Sequence, residues 1–171
     1  YAIIISTSAG LWRYIVGDTI KFTCKFPFKI KVTGRTKHFI NAFGEEVIID
    51  NAEKAIKIAC DHTGSIVNEY TAGPVFMSDS QKGAHQWIIE FEKEPKNIEY
   101  FGETLDNALK SLNSDYEAKR YHNMVLRAPV IRNMPPRTFF KWLKSKNKLG
   151  GQHKVPRLSN DRKHVDEILE M

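Results

Sequence analysis

Cysteine is scarce in this chain: Cys24 and Cys60 are the only two among 171 residues, and neither has a second cysteine near it. That pattern excludes a disulfide framework and a zinc knuckle, and it fits a reducing compartment. Long apolar runs are missing as well. Stretches such as Ala2 to Ile5 fall far short of the roughly 20 residues that a membrane-crossing helix needs. No signal-peptide pattern opens the chain, so a soluble, cytoplasmic protein without a membrane partner is expected. The six histidines (His38, His62, His85, His122, His153 and His164) show no paired spacing of a zinc or iron site and read as surface or capping groups. Neither a P-loop nor a GxSxG elbow occurs, and there is no internal repeat.

What is present is ordinary globular composition, with 42% hydrophobic and 27% charged residues, enough for one core or for a domain plus a strip of another. The 26 Lys and Arg against 20 Asp and Glu give a net charge of +6, which favours nucleotides, polyanions or an acidic partner surface. Much of the excess lies in Arg137, Lys141, Lys144, Lys146 and Lys148, a run that reads equally well as a solvated helix face.

Tyr1 to Ile5 reads as a strand already in progress. Leu11 to Val16, the Gly17-Asp18 pair and Thr19 to Cys24 together predict a hairpin, and Lys29 to Thr33 a further strand. After Gly34, a helix is expected from about Asp50 or Asn51 to Asp61, with Ala52, Ala55, Ile56 and Ala59 as its apolar stripe. Strands follow over Ser65 to Met77 and His85 to Glu92, with Glu90, Glu92 and Glu94 read as solvated charge. Then come a helix capped by Thr104 and running to Arg120, a strand over Met124 to Ile131, and a helix around Phe139, Phe140 and Leu143 begun by Pro136. Gln152 to Leu158 looks too short and polar for a core element, and Asn160 to Glu170 predicts a last, exposed helix. This order predicts an α+β fold in which helices cover one face of a small sheet.

Three short constellations carry chemistry. In Tyr14-Ile15-Val16-Gly17-Asp18 a carboxylate on a tight turn offers acceptors to a ribose diol, although an ordinary hairpin has the same look. Gly34-Arg35-Thr36-Lys37, with Phe43-Gly44-Glu45-Glu46 close behind, suits either a rotating joint or a plain basic loop. Gly150-Gly151-Gln152-His153-Lys154-Val155-Pro156-Arg157 carries a lysine on a glycine joint; such a lysine either enters a site to neutralise developing charge or is simply solvated.

Taken in order, these segments resemble one family. Thr7 to Asp18 resembles the nucleotide motif of the auxin-responsive acyl-acid amido synthetases, a branch of the adenylate-forming superfamily. Gly34-Arg35-Thr36-Lys37, followed by Gly44 and Glu53, is similar to that superfamily's hinge motif, and His153 to Arg157 to its C-terminal lysine motif. The resemblance covers essentially the whole chain. It implies a small mixed sheet with helices packed on it, preceded by a β-rich strip of a larger N-terminal domain that lies outside this sequence. Residues 1–34 would then end the large nucleotide-binding domain, residues 35–38 would be the hinge, and residues 39–171 the mobile small domain.

By the same resemblance Asp18 holds the ribose hydroxyls, Tyr14 and Arg35 lie against the nucleotide, Lys37 is the hinge residue and Lys154 assists adenylation. The implied reaction joins a carboxylic acid to ATP as acyl-AMP and passes the acyl group to an amine, as in amino acid conjugation. ATP and Mg2+ are the implied cofactors, with the magnesium site outside this chain. The missing N-terminal domain is the implied partner, and this portion alone should be inactive. Asn41 and Ala42 stand in the hinge where many relatives outside the branch carry a lysine and a different residue, which speaks against contacts to a thiol cofactor, and the branch resemblance favours an amine acceptor while a thiol stays open. A basic α+β module that binds nucleic acid or a small ligand without catalysis is the alternative. The positions of Trp87, Phe91, Phe139, Phe140 and Trp142 at strand and helix periodicity argue for core packing instead of base stacking.

Overall fold

The computed structural model describes all residues except 36–38, 79–80, 149 and 151–153, and the backbone but not the side chain of Arg35. The chain opens with β1 (Ala2–Ile5), β2 (Tyr14–Lys25) and β3 (Phe28–Arg35), an antiparallel sheet in the order β1-β2-β3. The expected turn at Gly17-Asp18 is absent. β2 runs straight through that pair, and the chain reverses at Phe26 and Pro27, where a proline that cannot donate to a ladder belongs. Gly17 lies instead where the pairing with β1 slips, between Ile4 opposite Ile15 and Ala2 opposite Thr19. Its φ of +86° is the left-handed conformation that glycine adopts without steric cost.

One face of this sheet is apolar and uncovered. Phe22 faces Ile30 and Ile20 faces Val32, while the Tyr1, Phe22 and Phe28 rings stack edge-on with centroids 5.7 and 5.9 Å apart. Phe22 is 50% and Phe28 77% exposed, so the apolar residues before Gly34 are under-buried.

The second unit begins with the paired β4 (Phe39–Ile40) and β5 (Val47–Ile48), then α1 (Ile49–Thr63), closed by Gly64 in the left-handed region. Its main sheet has the order β6 (Ile66–Val75), β7 (Ala84–Lys93), β8 (Val130–Met134), with β6 antiparallel and β8 parallel to β7. Helices α2 (Ile98–Leu112) and α3 (Ser114–Arg120) precede β8, and α4 (Thr138–Ser145) and α5 (Lys163–Leu169) follow it. The mixed α+β class holds.

Helices cover both faces of the sheet, however, not one. Tyr70, Ala72, Trp87, Ile89 and Phe91 pack against α1 and α2, while Ile88 on the opposite side meets Phe139, Trp142, Val165 and Ile168. β7 is thus buried on both faces, and two sequence expectations fail there. Glu90 is buried rather than solvated, accepting bonds from Asn68 Nδ2 at 2.7 Å and the Phe139 amide at 3.3 Å. His85 is buried rather than a surface group, with Nε2 2.8 Å from Glu45 Oε1.

Local chemistry explains the shifted boundaries. Asn97, not Thr104, caps α2 by accepting from the Tyr100 amide at 2.8 Å, so the helix starts earlier than expected. Asn113 is extended and caps α3 through the Tyr116 amide at 2.7 Å, dividing the expected single helix in two. The strand expected over Met124 to Ile131 is displaced to Val130–Met134. α5 is not an exposed helix, because Val165 and Ile168 are fully buried and Glu167 accepts from Trp142 Nε1 at 3.1 Å. The basic run from Arg137 to Lys148 is exposed throughout, a solvated face of α4 and the turn after it.

Candidate active site

Two separate places gather the residues expected to carry chemistry. The first is the edge of the N-terminal sheet. Asp18 on β2 and Arg35 on β3 are direct cross-strand partners, and one step inward, where Thr19 faces Gly34, the Thr19 hydroxyl bonds that of the adjacent Thr33 at 3.1 Å. Tyr14 starts the same strand opposite Ile5 and is 52% exposed. Between Tyr14 and Asp18 the bulge at Gly17 leaves space among the described residues, with none of their atoms within 4 Å of where a Cβ would stand. Asp18 and Tyr14 therefore border an open shelf, with the backbone of Arg35 paired beside it. The donors and acceptors of a ribose and a base fit that set. Lys37, the expected hinge residue, lies outside the described residues.

The second place is the segment around Lys154. Lys154 itself is exposed, but the residues after it are docked. Val155 and Leu158 are buried in the core, contrary to the reading of this stretch as too polar to contribute. Thr71 Oγ1 donates to the Pro156 carbonyl at 2.6 Å, the Ala72 amide to the Arg157 carbonyl at 2.9 Å, and the Ser159 amide to the Ala72 carbonyl at 3.0 Å. Leu158 thereby makes a single parallel bridge to Ala72, so the segment lies along the outer edge of β6. Gly73 permits the approach, since a Cβ there would stand 2.9 Å from the Asp161 carbonyl oxygen. Asn160 then accepts from the Asn41 amide at 2.8 Å and ties the strap to the chain leaving β4.

Arg157 is the residue that sequence reasoning passed over. It pairs with Glu69 on β6 and, through Nε at 3.3 Å, with Glu53 on α1. Its guanidinium carbon lies 4.5 Å above the Tyr70 ring, and Tyr70 Oη donates to Glu53 at 3.1 Å. Burial draws the guanidinium below its ordinary pKa while Glu53 opposes the shift; burial and Glu53 both push the Tyr70 phenol well up. The apolar Val155 and Leu158, three residues apart around Arg157, were the available signal of a docked segment. Lys154 stands just before the segment that docks on the β6-β7-β8 sheet, whereas Tyr14, Asp18 and Arg35 lie on the N-terminal sheet.

Among the described residues, no group of three or more His, Cys, Asp and Glu side chains is arranged to hold a metal ion, and no helix is long and apolar enough to cross a membrane. The aromatics Trp87, Phe91, Phe139 and Trp142 are buried, which leaves only Phe140 of that set at the surface.

Fold and site together define a small α+β domain with helices on both faces of its sheet, following a β-rich strip that carries an open shelf, with a lysine just ahead of an anchored strap. Residues 50–163 match the GH3 family C-terminal domain and residues 1–35 the GH3 family central domain, so the chain belongs to the GH3 family. A solved GH3.15 acyl acid amido synthetase superposes with a TM-score of 0.76 at 20% identity, over 99% of this chain and 33% of its own. A second structure, AtGH3.15 acyl acid amido synthetase in complex with 2,4-DB, gives 0.73 at 20% identity, over 99% and 32%. The chain thus spans about a third of the length of the solved structures it matches, and at this identity the likeness is one of fold. A search of curated proteins finds no match.

Proposed function

We propose that the chain is the nucleotide-edge and small-domain portion of an ATP-dependent acyl acid amido synthetase. In this reading residues 1–34 complete a larger nucleotide-binding domain, residues 35–38 form the hinge, and residues 39–171 form the small domain that rotates about it. The observation that carries the reading is the direct pairing of Asp18 with Arg35 beside the Gly17 bulge, at the boundary between the two matched family domains. Support for the division comes from the core of the small domain, whose buried residues begin at Ile40.

Asp18 accepts hydrogen bonds from the ribose hydroxyls, and Tyr14 and Arg35 flank the nucleotide. Lys37 serves as the hinge residue. Lys154 brings an ammonium to the charge that develops between the substrate carboxylate and the α-phosphate, where a fixed cation is most effective in a site closed to water. The products of that step are acyl-AMP and pyrophosphate, and an amine then takes the acyl group. Magnesium accompanies ATP through groups outside this chain, and no step assigned here depends on it.

The test is acid-dependent exchange of labelled pyrophosphate into ATP by the full-length protein, across a panel of aryl and alkyl acids. Exchange is expected with at least one acid. Asp18→Ala and Lys154→Ala should each lower it by about 100-fold, the scale of losing one electrostatic contact to a transition state. A folded full-length protein that exchanges with no acid would retire the reading.

A further inference from the structure

Lys154 is exposed and makes no ion pair or hydrogen bond among the described residues, yet the segment from Val155 to Ser159 is fixed to the domain. Two backbone hydrogen bonds at Ala72 and one from Thr71 hold the strap against β6, but that edge is short and the bonds are few. What distinguishes the place is Arg157. Its side chain crosses the β6 edge and reaches groups from two elements at once: Glu53 from α1, and Glu69 with the Tyr70 ring from β6. Tyr70 is 2% exposed and donates to the same Glu53 oxygen that Arg157 contacts, so the three groups fix one another. A planar guanidinium that pairs on its edge and stacks on its face has little freedom left, and lysine cannot replace it in both roles.

We propose that Arg157 is the positioning residue for Lys154, a clamp that fixes the strap to α1 and β6 so that the lysine turns with the small domain as one rigid body; the catalytic part of this inference rests on the function proposed above. α1 follows directly on β5, and Asn160 grips Asn41, so the far end of the strap is bound to the chain that leaves the hinge region. Rotation at the hinge is thereby delivered to Lys154 without slack. Arg157 touches neither substrate nor nucleotide in this scheme. It acts through the lysine three residues earlier.

The clamp is tested twice. In the 171-residue chain, hydrogen exchange at the Ala72 and Ser159 amides reports docking of the strap, with β7 amides such as Ile89 as the control for global stability. Arg157→Ala should lose protection at Ala72 and Ser159 and keep it at Ile89. In the full-length protein, the same variant should lower kcat for pyrophosphate exchange by about 10- to 100-fold with KM for ATP within about twofold, as misplacement of a reacting group by an ångström does. Arg157→Lys, which keeps the charge and loses the stack, should fall between. Unchanged protection at both amides overturns the clamp, as does full exchange activity in Arg157→Ala alongside an inactive Lys154→Ala. Activity retained in Lys154→Ala, with protection lost in Arg157→Ala, retires the catalytic reading and leaves the clamp standing.

Discussion

Asp106 and Arg120 join α2 to α3 through two parallel hydrogen bonds, Nε to Oδ1 at 2.7 Å and Nη2 to Oδ2 at 2.8 Å, with both side chains 7% exposed. Tyr116 Oη adds a third bond to Oδ1 at 2.7 Å, and Arg120 Nη1 donates to the Leu126 carbonyl at 2.8 Å. The network secures the break at Asn113 and the chain that leads into β8. Removing the guanidinium leaves the buried Asp106 carboxylate with only Lys110 and Tyr116 as partners, so Arg120→Ala should cost about 1–3 kcal/mol in urea unfolding. A loss under about 1 kcal/mol would mean that water replaces the guanidinium there.

Acid should unfold the small domain through the same carboxylate. Burial raises the Asp106 pKa, but bonds from Arg120, Lys110 and Tyr116 outweigh it and hold the group below its ordinary value. Glu45 behaves alike: burial raises it, while His85 and the Phe43 amide bring it lower still. A carboxyl group depressed in the folded state contributes stability that is complete above its unfolded pKa, about 4, and is lost as pH falls through the folded value. The urea midpoint should therefore drop below about pH 4, and Asp106→Asn should show a shallower drop from its lower starting point. Parallel curves for the two proteins would contradict the linkage.

The strap leaves no room for a side chain at position 73. Gly73→Ala would place a methyl group 2.9 Å from the Asp161 carbonyl and 3.1 Å from Val165 Cγ2, against backbone on one side and a buried residue on the other. A cost of about 1–3 kcal/mol is expected from overpacking. Thermal melts of the variant check it, and an unchanged melting temperature would show that the strap yields.

Uncovered aromatics on the N-terminal sheet should make the isolated chain associate. Replacing Phe22 and Phe28 together by serine removes the centre of the apolar face without touching the core that begins at Ile40. Light scattering at raised concentration should fall for the double variant while the melting transition of the small domain stays in place. Equal scattering from both proteins would locate the sticky surface elsewhere.

The local parts of this architecture were legible in the sequence. Ala52, Ala55, Ile56 and Ala59 recur at helical spacing and do form the buried stripe of α1. Boundaries set by one side chain were harder, because Asn97 and Thr104 offer equal capping chemistry until the Asn97 bond is seen. Gly17-Asp18 is turn-like on its own, and only pairing with β1 makes it a bulge within a strand. Buried charge could not be read at all. Glu90 and His85 look solvated because Phe139 and Glu45, which satisfy them, lie 49 and 40 residues away. The shelf residues are singled out by a motif held in nearby sequence, whereas the contacts of Arg157 depend on Tyr70, 87 residues earlier.

The docking of Leu158 onto Ala72 also orders events in time. The strap pairs with an edge made more than 80 residues before it, and α5 must be present to cover Ile88 from the other side. On the ribosome, where a chain emerges at roughly 5–20 residues per second, β6 waits several seconds with its edge unpaired. An open strand edge of that kind is a template for mispairing. Synthesis therefore passes through a stretch in which the domain is most exposed to chaperones and to its own neighbours, and that stretch closes only when the segment bearing Lys154 arrives.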